Sequence, residues 1–278
     1  MNISQALTYG INVLTGSESP EVDTQLLLCH ALNCQKTFLH SWAEKQLDLQ
    51  QQNAFKQLLE RRQQGQPISH ITGRRGFWTL DLNVTVDTLI PRPDTELLVE
   101  LALTKLTSNM RVADLGTGSG AIALSLADER PELQILAMDK FSLALSVAQK
   151  NAVQNQLNNV SFWQGQWLSA VRDNALDLVV SNPPYIKEND PHLVQGDVRF
   201  EPLTALVSGD DGLDDLRKIV RQAQRCLKLS GWLLVEHGYD QARQVQNLFQ
   251  QAGYTNISSH PDLAGNDRVV MGQKTNER

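Results

Sequence analysis

The stretch Val112-Ala113-Asp114-Leu115-Gly116-Thr117-Gly118-Ser119-Gly120-Ala121 narrows the fold more than any other part of the chain. A short apolar run, broken by alternating glycines and followed by helix formers, reads as a strand, a tight turn and a helix start. Glycine tolerates positive φ and lets a backbone approach a ligand closely. Such a unit needs parallel neighbours, and the flanking sequence supplies them. Strands are expected at 111–115, 133–138, 160–163, 176–181 and 232–236, with helices at 120–127, 142–155, 213–227 and 241–252. Two further strands, near 254–258 and 268–271, finish the chain. This alternation predicts an α/β fold with a doubly wound, mainly parallel, Rossmann-like sheet.

The glycine turn by itself is ambiguous. Gly116-x-Gly118-x-x-Ala121 also satisfies the relaxed dinucleotide fingerprint. Asp139, which ends the next strand, is placed to accept hydrogen bonds from ribose hydroxyls in either case. Two features tip the balance. Asp114 precedes the loop, where a carboxylate suits a cationic amino group better than a pyrophosphate. The run Leu176–Val180 ends in Ser181-Asn182-Pro183-Pro184-Tyr185, at the same carboxyl edge of the sheet. Two prolines fix φ and remove N–H donors, so this loop cannot extend a ladder. What it offers is the Asn182 amide, the carbonyls of Asn182 and Pro183, and the Tyr185 ring. Acceptors beside an aromatic face suit a planar –NH₂ group such as a carboxamide or an exocyclic base amine. The combination points to S-adenosylmethionine (SAM) rather than a nicotinamide cofactor.

The N-terminal part has a different period. Ile3, Ala6, Leu7, Ile11 and Leu14 recur at helical spacing before Gly16, Ser19-Pro20-Glu21 starts a second helix, and a third is expected over 49–63. Residues 77–80 and 82–86 then predict a β-hairpin turning at Asp81. Ile90-Pro91-Arg92-Pro93-Asp94-Thr95-Glu96 opens a helix that either Asp94 or Thr95 can cap. The formal net charge is −6, and five Lys and Arg face six Asp and Glu over residues 1–73. Neither balance describes a nucleic-acid clamp. No apolar run reaches the length of a membrane span, and no basic-then-apolar leader opens the chain. Cys29, Cys34 and Cys226 are too few for a disulfide framework, so a reduced, cytoplasmic protein is expected. Cys29, His30, Cys34 and His40 lack a C-x₂-C pair, and no metal site is expected from them.

Taken together, these motifs resemble a SAM-dependent amino-methyltransferase, and more closely the HemK-type peptide chain release factor glutamine N5-methyltransferases. The resemblance rests on Pro67-Ile68-Ser69-His70-Ile71-Thr72-Gly73, Phe77-Trp78, Leu89-Ile90-Pro91-Arg92-Pro93-Asp94-Thr95-Glu96 and the glycine loop. It continues through Ser181–Ile186 and Asp197-Val198-Arg199-Phe200-Glu201-Pro202-Leu203-Thr204-Ala205-Leu206. The Asn-Pro-Pro-Tyr loop also occurs in base-methylating enzymes, so a nucleic-acid amino-methyltransferase is the alternative. The Ile-Pro-Arg-Pro-Asp-Thr-Glu and Arg-Phe-Glu-Pro segments are far more specific to the release factor family.

The resemblance implies a seven-stranded methyltransferase domain at 89–278, a β-hairpin linker at 74–88 and a helical substrate-recognition domain at 1–73. Gly116, Thr117, Gly118, Ser119 and Gly120 would wrap the methionine and ribose of SAM, Asp139 would hold the ribose hydroxyls, and Trp167 would contact the cofactor. The family pattern carries an Asp before that Trp where this chain has Gln166. A Gln carbonyl accepts the same bond without adding charge, so cofactor affinity is expected to differ. Asn182, Pro183, Pro184 and Tyr185 would bind the substrate amide, with Asn182, Pro183 and Tyr185 in the catalytic role and Asn182 also against the cofactor. The implied partner is a class I release factor, methylated by a monomer at the glutamine of its Gly-Gly-Gln motif, with S-adenosylhomocysteine as by-product. No direct contact with nucleic acid or membrane is expected.

Overall fold

The computed structural model describes residues 1–275, and the chain divides into two compact units. The first comprises Met1–Arg74 together with Val194–Phe200. It holds α1 (Ile3–Val13), α2 (Pro20–Leu32), α3 (Lys36–Ser41), α4 (Leu49–Gln63) and α5 (Ile68–Thr72). Asn2 and Asp48 begin α1 and α4 as reciprocal capping boxes with Gln5 and Gln51. Pro20 opens α2 at its first turn, where a missing N–H costs nothing. The short α3 and α5 lie beyond what periodicity reveals, since one to two turns carry too few apolar repeats. Ile3, Ala6, Leu27, Leu28, Leu39, Phe55 and Leu59 are fully buried in the shared core. Residues 194–200 belong to this unit, tied by Arg62, which bridges Asp23 at 2.8 Å and Asp197 at 3.2 Å. Arg199 Nη2 donates to the Gln64 carbonyl nearby at 3.1 Å.

The second unit comprises Arg75–Leu193 and Glu201–Arg278. It starts within a hairpin of β1 (Arg74–Phe77) and β2 (Leu80–Asn83). The turn therefore falls at Trp78 and Thr79, not at Asp81. The reason is tertiary. Trp78 takes a φ of 54°, its N–H donates to Glu96 Oε1 at 3.0 Å, and Thr79 Oγ1 donates to Asp128 Oδ2 at 2.7 Å. Carboxylates from two neighbouring helices fix a turn that has no Gly or Asn to signal it.

After the hairpin come α6 (Glu96–Leu103), β3 (Arg111–Leu115), α7 (Ala121–Glu129), β4 (Gln134–Asp139), α8 (Ser142–Gln154), β5 (Val160–Gln164) and β6 (Leu176–Ser181). The chain ends with α9 (Asp214–Cys226), β7 (Leu227–Glu236), α10 (Ala242–Ala252), β8 (Thr255–Pro261) and β9 (Asp267–Gln273). The strands form one seven-stranded sheet in the order β5-β4-β3-β6-β7-β9-β8. Strands β3 to β7 run parallel, and β9 lies antiparallel to both β7 and β8. Both faces are covered, as the near-continuous apolar strands require. Val112, Ile135, Leu178 and Leu234 pack on one side with α6, α7 and the hairpin, and Ala113, Val179, Leu233 and Val235 pack on the other with α9 and α10. The period of two along each strand makes that division. Among the described residues no helix is long and apolar enough to cross a membrane.

Candidate active site

The chain leaves β3 toward β4 on one side and returns to β6 on the other, so the sheet's switch point lies between β3 and β6. A crevice forms there outside the strands' carboxyl ends. It is a cavity of about 320 Å³ lined by Gly116, Gly118, Asp139, Phe141, Trp167 and Asn182, among others. The Ser181 hydroxyl donates to the Leu115 carbonyl at 2.7 Å, locking the ends of β6 and β3 together beneath it.

The glycine loop is held from below. Gly116 and Thr117 both donate N–H to the Met138 carbonyl at 2.9 Å. Gly116, Gly118 and Gly120 all have positive φ, at 71°, 57° and 89°. At Gly118 a Cβ would meet nothing within 4 Å, so the space above that residue is open. Gly120 is closed in, since a Cβ there would stand 2.9 Å from Leu124 Cδ1 and 3.2 Å from Ala148 Cβ. The two glycines answer different demands: Gly118 faces open space, and Gly120 lets α7 pack against α8.

Asp139 lines the cavity with both carboxylate oxygens in use. Oδ2 accepts from Gly118 N–H at 3.0 Å and Oδ1 from Phe141 N–H at 2.9 Å. Burial still pushes its pKa up against these bonds, so further donors such as vicinal hydroxyls would relieve it. The Trp167 ring covers Gly116, and its indole N–H donates to Asp215 Oδ1 at 3.2 Å. An acceptor pair for a diol, an aromatic face and a glycine backbone free of side chains fit the ribose, adenine and methionine parts of SAM.

Asp114 departs from the sequence expectation. It does not line the cavity but sits fully buried under the loop, where Oδ2 accepts from the Thr117 hydroxyl at 2.6 Å and from Ala123 N–H at 3.1 Å. Its other oxygen has no hydrogen-bond partner, and burial pushes its pKa to about 7. Glu236, at the end of β7, is likewise pushed to about 7 by burial. A carboxyl held above its ordinary value of about 4 favours the fold while protonated. That stability is complete below the ordinary value and is lost as the pH rises through 7. The urea midpoint of the ligand-free protein is therefore expected to fall between about pH 5.5 and about pH 8, and Asp114→Asn should flatten the slope.

The proline loop is held at several points. Asn182 Nδ2 donates to Thr95 Oγ1 at 3.1 Å. The Tyr185 hydroxyl donates to Glu236 Oε1 at 3.3 Å, and its carbonyl accepts from Gln241 Nε2 at 3.0 Å. Burial, and then the Glu236 charge, push the Tyr185 pKa far up, so the phenol stays a donor. The next residues pair with the chain downstream, with Ile186 N–H donating to the Leu206 carbonyl at 2.8 Å. Arg92 pairs with Glu201 at 2.8 Å, and that buried carboxylate also accepts from Ile90 N–H.

Two family models match the chain: the PrmC N-terminal domain over residues 5–73 and the methyltransferase small domain over 93–197. The release factor glutamine methyltransferase of Aliivibrio fischeri is 47% identical over 98% of both chains. That of Escherichia coli is 46% identical, over 98% of this chain and 99% of its own. This chain belongs to the release factor glutamine methyltransferase family. A methyltransferase structure from Pyrococcus furiosus, 16% identical with a TM-score of 0.55, covers 78% of this chain and 98% of its own and agrees in fold.

Within this family member the expected residues divide by position. Gly116, Gly118, Asp139, Trp167, Asn182 and Pro184 line the cavity. Thr117 and Ser119 are buried, the first bonded to Asp114 and the second offering its carbonyl to Asn151 Nδ2 at 2.8 Å, and Gly120 begins α7. Pro183 is buried between two lining residues, Asn182 and Pro184, and Tyr185 is not itself a lining residue. Gln166 does line the cavity. Arg199 and Phe200 stack on each other in the helical unit, and His192 is exposed beside Asp190. The sequence offered either Asp94 or Thr95 as the cap of α6. Thr95 makes no side-chain cap bond; it meets Asn182 instead. Asp215 and Lys218 also line the cavity, and no local signal marks them.

Proposed function

We propose that this protein transfers the methyl group of SAM to the side-chain amide nitrogen of the glutamine in the Gly-Gly-Gln motif of class I release factors. The observation that carries this reading is the Asn182 side chain on the cavity wall, its –NH₂ committed to Thr95 and its oxygen left to accept. An acceptor is what an incoming amide –NH₂ needs.

A carboxamide nitrogen is a weak nucleophile because its lone pair is delocalised into the carbonyl. In this reading Asn182 Oδ1 and the Pro183 carbonyl accept both N–H bonds of the substrate glutamine. They orient the nitrogen in line with the methyl and favour a more tetrahedral geometry at it. Bound SAM supplies an electrophilic methyl on a sulfonium, so the protein needs no nucleophile of its own. Asp139 would hold the ribose hydroxyls, Gly116 and Gly118 would admit the methionine chain, and Trp167 with Gln166 would flank the adenine. Tyr185, tied to Glu236 and Gln241, supports the loop from behind, and the released proton passes to water.

We ascribe the holding of the release factor to the helical unit at 1–73, with the protein acting as a monomer in the cytoplasm where translation takes place. Purified release factor and tritiated SAM provide the test. Label is expected in the release factor, and none in a Gln→Asn variant of its Gly-Gly-Gln motif. Label in tRNA or DNA controls instead would move the protein to the base-methylating branch.

A further inference from the structure

Trp167 holds a conformation that its own backbone does not favour. Its φ is 50°, in the left-handed region, and a bulky residue stays there only where its surroundings hold it. One face of α9 does the holding. Gln222 Oε1 accepts from the Leu168 N–H at 2.8 Å, and Asp215 Oδ1, two turns earlier on the helix, accepts from the Trp167 indole N–H at 3.2 Å. The Asp215 carboxylate is itself fixed. The buried Ser208 hydroxyl donates to Asp215 Oδ2 at 2.9 Å and accepts from the Asp215 N–H at 2.8 Å. Lys218, half-exposed, adds an ion pair to Oδ1 at 3.1 Å, which weighs little at the surface. An indole N–H can only donate and a carboxylate can only accept, so the bond fixes which way the ring is turned. With its N–H toward α9, the ring lays its opposite edge on the glycine loop, where a Cβ at Gly116 would stand 3.4 Å from Cζ3.

We propose that Asp215 is a positioning residue for the cofactor: through the indole N–H it fixes the Trp167 ring over the glycine loop, and so sets the affinity for SAM. The inference rests on the reading of Trp167 as a wall of the adenine site. Without the carboxylate the ring is free to turn and the left-handed backbone at 167 to relax, and the cost of ordering both falls on binding. Gln166, standing where the family pattern has Asp, offers adenine an acceptor without charge, so the ring's placement carries a larger share of the affinity. Asp215 also lines the cavity, and action through the ring differs from direct contact with the cofactor in a way that paired substitutions reveal.

Calorimetric titration with SAM is the test. Asp215→Ala is expected to raise the Kd about tenfold, the loss of one hydrogen bond to a charged group. The KM for SAM should rise with it, while kcat for release factor methylation at saturating SAM changes far less. Asp215→Asn, whose side-chain oxygen still accepts from the indole, should recover most of the affinity. Trp167→Phe, which removes the N–H, is expected to cost about tenfold by itself, and adding Asp215→Ala to it no more than about twofold further. An unchanged Kd in Asp215→Ala or in Trp167→Phe overturns the proposal, as does an Asp215→Asn variant that binds no better than Asp215→Ala. A tenfold loss from Asp215→Ala in both backgrounds overturns it too, since Asp215 would then touch the cofactor itself. Trp167→Ala checks the underlying reading. If it binds SAM as tightly as the wild type, the ring is no wall of the adenine site and the proposal falls with that reading; a loss there beside an unaffected Asp215→Ala sinks the proposal alone.

Discussion

Replacing Asn182 by alanine is expected to lower methyl transfer to the release factor about 1000-fold while leaving the fold in place. The side chain is half-buried and makes one hydrogen bond, to Thr95, so its loss costs only about 1 kcal/mol of stability. The part of the cavity proposed to hold the cofactor, lined by Gly116, Asp139 and Trp167, is untouched. SAM binding should therefore persist, and the defect should appear in kcat rather than in the cofactor Kd. Single-turnover kinetics with saturating SAM would show this directly. Near-normal turnover in Asn182→Ala would mean that the substrate amide is held by backbone carbonyls alone.

Gly120→Ala is expected to destabilise the second unit by about 3 kcal/mol and lower its melting temperature by roughly 10 °C. Two costs add. The residue sits at φ 89°, where an L side chain is strained by about 1–2 kcal/mol. Its Cβ would also stand 3.1 Å from Leu124 Cγ and 3.2 Å from Ala148 Cβ, so a tightly packed helix contact must open. Gly118→Ala is the informative contrast. It has positive φ but meets no atom, so stability should drop by only about 1 kcal/mol while SAM affinity falls, because the methyl points into open ligand space. Calorimetric melting beside SAM titration separates the two. Equal melting temperatures for both variants would refute the packing role given to Gly120.

The elements of the sheet were largely legible because their signals are local. The segment 176–181 ends where two prolines end it, and the segment 111–115 ends where the glycines begin. The hairpin turn was not legible, because Glu96 and Asp128 fix Trp78 and Thr79 from other elements. Asp114 was misplaced for a related reason. A carboxylate two residues before a glycine turn can face the ligand or lie under the loop, and only the bonds from Thr117 and Ala123 decide which.

By itself, the sequence determined the fold class, the glycine turn, the Asn-Pro-Pro-Tyr loop and the chemistry they suggest, since each is written in consecutive residues. The tertiary structure alone decided which of those residues face the cavity and what stands behind them. Thr95 and Asn182 are 87 residues apart and Tyr185 and Glu236 are 51 apart. Tyr185 and Glu236 meet because β6 and β7 are neighbours in the sheet, and Thr95 reaches Asn182 because α6, which it precedes, packs against β6.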